Sequence, residues 1–510
     1  MENVKTQNLT KIAIKSSFYN FSTVFVNKIG SLVFTIVLAR LLLPELFGIY
    51  ALTLSVISII ITLTDLGINM ASVRYISSAL GKNEKSRARS YFWYLLKFKG
   101  VLTILVIFVT LITSRYLAYN IFDKPAIFLP LIIGTLYILT ESLNGIVGSL
   151  FAAKKDWSKI PFIELIGQTS KIVLSIMAIL FLSENLRVSG IFVSFAAAGI
   201  ISLIITTFIL FKEDKEMFLG ETSSIDKSRV KNYIGFMSVA SISIIFFGSV
   251  DTLMLGKFVD AEYLGYYRAA LGLVVSLSAL LSFSGILFPI FTQVSGDRLE
   301  RGFQQTLRYL LIFTVPMAFG LIMVAKFAIF ATYGKEYLIA TMPLYILTLL
   351  ILIAPIIELY SSIFRAKELV KSLAKFTFIS LLINVLFNLV LIKSLLPFGQ
   401  EYAIMGAGLA TIMSRGYFLI FLVVKAKQKF KIKIDYAQLA KPVLAAAVMS
   451  SFLFVFNKQV SINLFYGLIE IILGIGVYFE TLWLLKGFDK DDLDLLKNLK
   501  KVRDTEKNDI

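Results

Sequence analysis

Polar residues along the chain are concentrated in short gaps between fourteen apolar stretches, and that alternation predicts the architecture before any other feature is weighed. The stretches fall near 16–38, 46–76, 90–113, 125–153, 159–182, 188–211, 231–256, 264–290, 305–327, 338–360, 372–395, 402–424, 440–457 and 462–485. Each is long enough for a helix of roughly 20 residues, which crosses about 30 Å of hydrocarbon. From Leu95 to Thr113, and between Tyr345 and Pro355, apolar side chains surround the helix, where a soluble amphipathic helix keeps one polar face. The expected fold class is an all-α polytopic membrane protein with about 14 transmembrane helices.

Composition agrees: 57% of the 510 residues are apolar and mean hydropathy is +0.81, beyond what a water-exposed surface tolerates. The net charge of +18 raises nucleic acid as a partner, and its placement decides against that. Segments 1–15, 80–90, 154–159, 212–231, 293–308, 365–375, 425–441 and 486–510 hold 35 Lys and Arg, whereas the intervening gaps hold 9. Basic residues stay on the cytoplasmic side of an inner or plasma membrane, so both termini are expected there. The first fifteen residues are polar and basic and lack a small-residue cleavage site, so they are expected to be retained. Cysteine and histidine are absent, which excludes disulfides, thiolate or imidazole metal sites, and Cys or His catalysis. No GxxxxGK[ST] loop is present. No enzyme activity, cofactor or metal is expected.

No gap exceeds about twenty residues, so function is expected among the helices. The longest loop divides the chain into an N-lobe at 1–211 (six spans), a cytoplasmic linker at 212–230, a C-lobe at 231–424 (six spans), two further spans at 425–485 and a cytoplasmic tail at 486–510. Within the tail, Leu493, Leu496 and Leu499 share one face of an amphipathic helix. A shift of 217 residues lays LARLLLPELFGIY (38–50) on LGKFVDAEYLGYY (255–267) without a gap, matching Leu38 with Leu255, Glu45 with Glu262, Gly48 with Gly265 and Tyr50 with Tyr267. Both copies follow the first span of their half. Six spans separate them, so the lobes form a parallel repeat about an axis along the membrane normal.

The run LARLLLPELFGIYALTLSVISIIITLTDLGINMASVRYIS (38–77), with the basic loop after it, resembles the amino-terminal pattern of Wzx-type polysaccharide flippases. These belong to the multidrug/oligosaccharidyl-lipid/polysaccharide exporter superfamily. SVDTLMLGKFVDAEYLGYYRAA (249–270) and SGILFPIFTQ (284–293) resemble that family's seventh and eighth spans. The resemblance implies a two-lobed exporter with twelve core helices. Its implied cargo is a polyprenyl-diphosphate-linked oligosaccharide moving from the inner to the outer leaflet. A glycan polymerase or glycosyltransferase is an open candidate partner.

Ionisable groups inside spans are costly and usually face protein or water, which makes them the default site candidates. The cations are Lys28, Arg74, Lys171, Arg268 and Arg415. Lys28 is midway along the first span, in a polar stripe with Asn20, Asn27 and Ser31, while Lys171 follows Gln168 in the fifth. A diphosphate suits such a set, because Arg presents a bidentate fork and Lys a point charge. Among the acids, Asp251 and Glu141 are the candidates for ion coupling or gating; Asp251 lies in the resembling segment, and Glu141 lies close to Asn144. Either carboxylate could instead pair with a cation in a structural salt bridge. Pro289, Pro316, Pro343 and Pro355 remove backbone hydrogen bonds within or at the edges of spans and could serve as hinges or merely shape packing. Two other cargoes stay open: cationic drugs, carried by exporters of the same superfamily, and a peptidoglycan lipid precursor.

Overall fold

The computed structural model describes residues 2–154, 156, 158–281, 291–430, 432, 436–457 and 463–488, with side chains from Lys28 onward except at 236, 239–247 and 436. The side chains of Asn20 and Asn27, the segment around Pro289 and the tail with Leu493, Leu496 and Leu499 therefore lie outside the described residues. The chain folds as α1 (Glu2–Asp65), α2 (Ile68–Gly81), α3 (Lys85–Tyr116), α4 (Phe128–Lys154), α5 (Ile160–Phe181), α6 (Glu184–Glu213), α7 (Lys227–Phe258) and α8 (Ala261–Leu280). It continues as α9 (Gly296–Met323), α10 (Ala325–Tyr333), α11 (Thr341–Leu347), α12 (Leu350–Ala366), α13 (Val370–Leu395), α14 (Gln400–Phe430), α15 (Tyr436–Asn457) and α16 (Leu464–Leu484). The all-α membrane class is as expected. Among the described residues, 11 helices are long and apolar enough to cross a membrane, or 12 if the pair Lys335–Leu347 and Leu350–Ala366, bent by 45°, is one span. The first of these, Lys28–Gly81, has 54 residues, room for two crossings.

The breaks in that long element have local causes. At Leu43 the backbone leaves the helix (φ 62°, ψ 171°), because the following Pro44 disfavours helical geometry in the residue before it and has no N–H to donate. A second break, inside the expected span 46–76, falls at Leu66 (φ 43°) and Gly67 (φ 82°). Gly67 tolerates the left-handed region, and a Cβ there would strike Met237 of α7. The freed backbone groups are re-satisfied: Asn69 N donates to Asp65 Oδ1 (3.1 Å), and Ser238 Oγ donates to Leu66 O (3.1 Å).

α3 shows how the helices meet lipid. Val101, Ile104, Phe108 and Ile112, at helical spacing along one face, are 60–70% exposed, while Lys99, Thr103, Thr110 and Ser114 on the other face are buried. The stretch from Leu95 to Thr113, expected from its composition to be apolar all round, thus has an inward polar face formed by Lys99 and the threonines; a soluble helix does the reverse. Lipid therefore covers the apolar stripe, and the polar face finds partners inside, as in Thr103 Oγ1 to Ser142 Oγ of α4 (2.6 Å).

The chain divides into two compact units. The first comprises Met1–Ser276, Tyr333–Ile346 and Glu368–Phe418; in it α4 and α5 pack on α6, α1 on α5 and α7, and α7 on α13. The stretch 214–226 is strapped to its basic end. Arg89, buried on α3, donates to the carbonyls of Glu216 and Glu221, while Lys85 and Lys154 pair with Glu216 and Asp214 at 2.9 Å each. That pairing raises the pKa of Lys85 through its hydrogen bond with Glu216. The second unit comprises Leu277–Thr332, Leu347–Lys367 and Leu419–Ile510. Its core joins Ile312 and Val315 of α9 to Ala445, Met449 and Leu453 of α15 and Tyr478 of α16, whose hydroxyl donates to Ile312 O (2.8 Å).

Candidate functional site

Asp251, on α7, lies at the centre of a buried polar net. Its Oδ2 accepts from Tyr267 Oη of α8 (2.8 Å) and from Thr411 Oγ1 of α14. Its Oδ1 accepts from Asn388 Nδ2 (2.8 Å) and Asn384 Nδ2 (3.3 Å) of α13. The net forms because Asn384 and Asn388 stand one turn apart on the face of α13 that packs against α7, and Thr411 and Ser414 share a face of α14. Burying a carboxylate is costly unless it is richly hydrogen-bonded, and four donors meet that demand. Two acceptors are left over: Asn384 Oδ1 and Asn388 Oδ1 are buried without a hydrogen-bond partner among the described residues. One carboxylate, two spare amide oxygens and two hydroxyls within one cluster are a hard oxygen donor set of the kind that holds a monovalent cation, with the Arg268 guanidinium near enough to compete for the charge. Among the described residues, no cluster of three or more His, Cys, Asp or Glu is placed to hold a metal ion.

The cations named from the sequence are dispersed through the first unit. Lys28 and Ser31 are exposed on α1, and a Cβ at Gly30, between them, would lie 3.6 Å from the Gln168 side chain of α5, an ordinary van der Waals contact. Lys171, half-buried one turn beyond Gln168, holds Nζ 5.6 Å from the ring centre of Tyr137 and 5.7 Å from that of Phe195. Arg74 is exposed and lies over Tyr233 at 4.5 Å. Arg268 is half-buried and donates to Thr252 Oγ1 (3.3 Å), beside Asp251. Arg415 is half-buried on α14, next to Ser414. Asn144 donates to Gly199 O (2.8 Å), tying α4 to α6. The helices thus bring Arg268 to Asp251 and place Gln168 beside the α1 stripe, while Arg74 engages aromatic rings near the basic end.

Sequence reasoning missed Lys99. Its ammonium, buried on α3, donates to Asp65 Oδ1 (3.1 Å) and Asn69 Oδ1 (2.7 Å) across the break between α1 and α2, with Glu141 also within electrostatic reach. Asn384, Asn388, Thr411 and Tyr267 were missed as well. The one sequence signal for the asparagines is their spacing of four residues within an otherwise apolar span.

At the charge-poor end, the two copies of the repeat meet each other. A Cβ at Gly48 would strike the backbone of Ala261, and a Cβ at Gly265 would strike the backbone of Pro44. Gly48 and Gly265 are 217 residues apart, and so are Pro44 and Ala261, so the contact is reciprocal about a local pseudo-two-fold axis. A second pair repeats it. Tyr337 Oη donates to Ala39 O (2.8 Å), and Lys124 Nζ donates to Gly256 O (2.8 Å), the two carbonyls again being 217 apart. Burial lowers the pKa of Lys124, an effect opposed by the Asp260 and Asp123 charges. The seam is closed by backbone meeting backbone, and only glycine leaves room for that.

Comparison with known proteins agrees with this architecture. Residues 37–342 match the family described as "Polysaccharide biosynthesis protein". The chain is 24% identical over 251 residues to the probable low-salt glycan biosynthesis flippase of Haloferax volcanii, a match covering 48% of this chain and 51% of that protein. The match thus spans about half of that relative's length. An uncharacterized membrane protein of Methanocaldococcus jannaschii is 21% identical over 404 residues, covering 74% of this chain and 77% of its own. Among solved structures, the lipid II flippase MurJ in its inward closed conformation superposes with a TM-score of 0.72 at 18% identity, covering 91% of this chain and 97% of MurJ. An outward-facing multidrug resistance transporter of the MATE family gives 0.55 at 13% identity, covering 82% and 96%. These two are likenesses of fold.

Proposed function

Because the chain belongs to the polysaccharide biosynthesis protein family, we propose that it is a flippase carrying a polyprenyl-diphosphate-linked oligosaccharide from the cytoplasmic to the outer leaflet. The family match carries this reading, and the cations within the spans support it. Lys28, Lys171, Arg268 and Arg415 line the headgroup path, with Arg74 at its cytoplasmic mouth and the polar side chains of Ser31, Asn144 and Gln168 along it. A diphosphate presents about two negative charges, and moving them outward across an inside-negative potential of about 100 mV is favourable by about 4.6 kcal/mol. The Gly48–Gly265 seam is the outer gate in its closed state. Asp251 is the coupling site, taking up a monovalent cation, for which Na⁺ is the first candidate, once the four hydrogens that point at its carboxylate are redirected. The fold likeness to a lipid II flippase favours a second cargo of the same chemistry, a peptidoglycan lipid precursor.

Losing a charge-assisted contact to the diphosphate costs about 1.5–3 kcal/mol, so Lys28→Ala and Lys171→Ala are each expected to lower glycan export ~10- to 150-fold at unchanged protein level in the membrane. Near-wild-type surface glycan in both variants would remove these lysines from the path.

The basic gaps, and with them both termini, face the cytoplasm of the cell membrane. This cysteine-free chain permits a direct check with a membrane-impermeant maleimide. In intact cells Tyr119→Cys, 49% exposed at the charge-poor end, should be labelled and Lys82→Cys, exposed at the basic end, should not. The opposite pattern would invert the topology.

A further inference from the structure

Three consecutive residues of α8 join the outer seam to the Asp251 net. Gly265 packs on the Pro44 backbone, Tyr266 sets its ring 6.1 Å from the ring of Tyr337, which is itself bound to Ala39 O, and Tyr267 donates to Asp251 Oδ2. One turn of helix therefore has the seam on one side and the coupling carboxylate on the other. We propose that Tyr267 is the latch of the outer gate, and that a cation at Asp251 opens the seam by displacing the Tyr267 O–H bond.

The donors differ in how readily they give way. A carboxylate offers about four acceptor sites, and here all four are engaged, so a cation gains Asp251 only as donors leave. The amides of Asn384 and Asn388 can turn their spare oxygens inward and stay as ligands. The Thr411 hydroxyl can rotate its hydrogen onto the backbone carbonyl one turn back and keep its oxygen in place. Tyr267 has less freedom. A phenol hydrogen keeps to the plane of its ring and has two directions there; this ring is fully buried and Asp251 is the one acceptor to which its hydroxyl donates among the described residues, so turning the hydrogen from a cation leaves a buried donor unpaired unless the ring moves. In a close-packed interior that movement carries α8 with it. Moving α8 withdraws Gly265 from Pro44 and Tyr266 from Tyr337, and the seam parts. The inference depends on the reading of Asp251 as the cation site. It adds the element that couples the site to the gate.

The test uses spin labels at Tyr119→Cys and Phe398→Cys, two exposed positions in different loops at the charge-poor end, with the full-length protein in lipid nanodiscs. Pulsed electron resonance reads their separation in NaCl and in choline chloride, and calorimetry reads Na⁺ binding separately. The proposal expects Na⁺ to lengthen the distance in the parent protein, and Tyr267→Phe to show the longer distance in choline as well. Thr411→Val removes a donor to the same oxygen and leaves the Tyr267 bond to Asp251 in place. It should keep the short distance in choline, as a merely loosened net would not. Sodium binding retained with Tyr267→Phe indistinguishable from its parent in both salts overturns the latch and leaves the cation site standing. Absence of Na⁺ binding in the parent overturns both.

Discussion

Replacing either seam glycine with valine is expected to hold the outer gate open and to stop glycan export. At Gly48 and Gly265 the obstacle is backbone carbonyl, which cannot swing aside as a side chain would. Overpacking of this kind costs about 1–3 kcal/mol, and because the clash exists only in the closed state, it shifts the gate by about 5- to 150-fold toward open. Gly48→Val and Gly265→Val should therefore reach the membrane, show the longer Tyr119–Phe398 separation without added sodium, and export at less than a tenth of the normal rate. The reciprocity of the contact adds a further expectation: the two variants should resemble each other closely. Normal export with an unchanged separation in both would show that the glycines do not meet during the cycle.

The second large effect is expected at Asp251. Asp251→Asn keeps the shape of the side chain but removes the charge to which four donors point, and a hydrogen bond to a charged acceptor contributes about 1.5–3 kcal/mol. An asparagine there also turns an N–H₂ toward one pair of those donors, so at least one of them loses its partner. Export should fall at least tenfold, on the order of one such bond lost, and whatever activity remains should no longer respond to a sodium gradient. Sodium-stimulated export persisting in Asp251→Asn would move the coupling elsewhere, with Glu141 beside Lys99 the next carboxylate to examine.

Much of this fold is legible in the apolar pattern, because a helix in lipid must satisfy its own backbone and so announces itself as a long apolar run. The stretch expected at 159–182 is α5 (Ile160–Phe181), and that at 372–395 is α13 (Val370–Leu395). The break at Leu66–Gly67 was hidden, since LTDLGIN reads as one more turn of an apolar span; only the contacts of Gly67 with Met237 and of Leu66 with Ser238 explain it. The site was legible in part. Asp251 and Arg268 stand out as charges in apolar surroundings, yet three of the four partners of Asp251, namely Asn384, Asn388 and Thr411, are neutral residues 133 to 160 positions away, and no local pattern carries that information. Lys99 sits inside an expected span without having been counted among its intramembrane charges, because its significance depends on Asp65 and Asn69 lying across the helix break. The repeat was visible as thirteen aligned positions, but that its two copies touch reciprocally is a property of three-dimensional packing.

The cargo and its direction of movement are read together from the pool of lipid-linked glycan in cells lacking this protein, measured with their surface polysaccharide. Polyprenyl-diphosphate-linked oligosaccharide is expected to accumulate on the cytoplasmic side while the surface glycan is lost, with the mass of the accumulated species identifying the cargo. An unchanged pool with intact surface glycan, accompanied by new sensitivity to cationic drugs, would contradict this expectation and assign the chain to drug export.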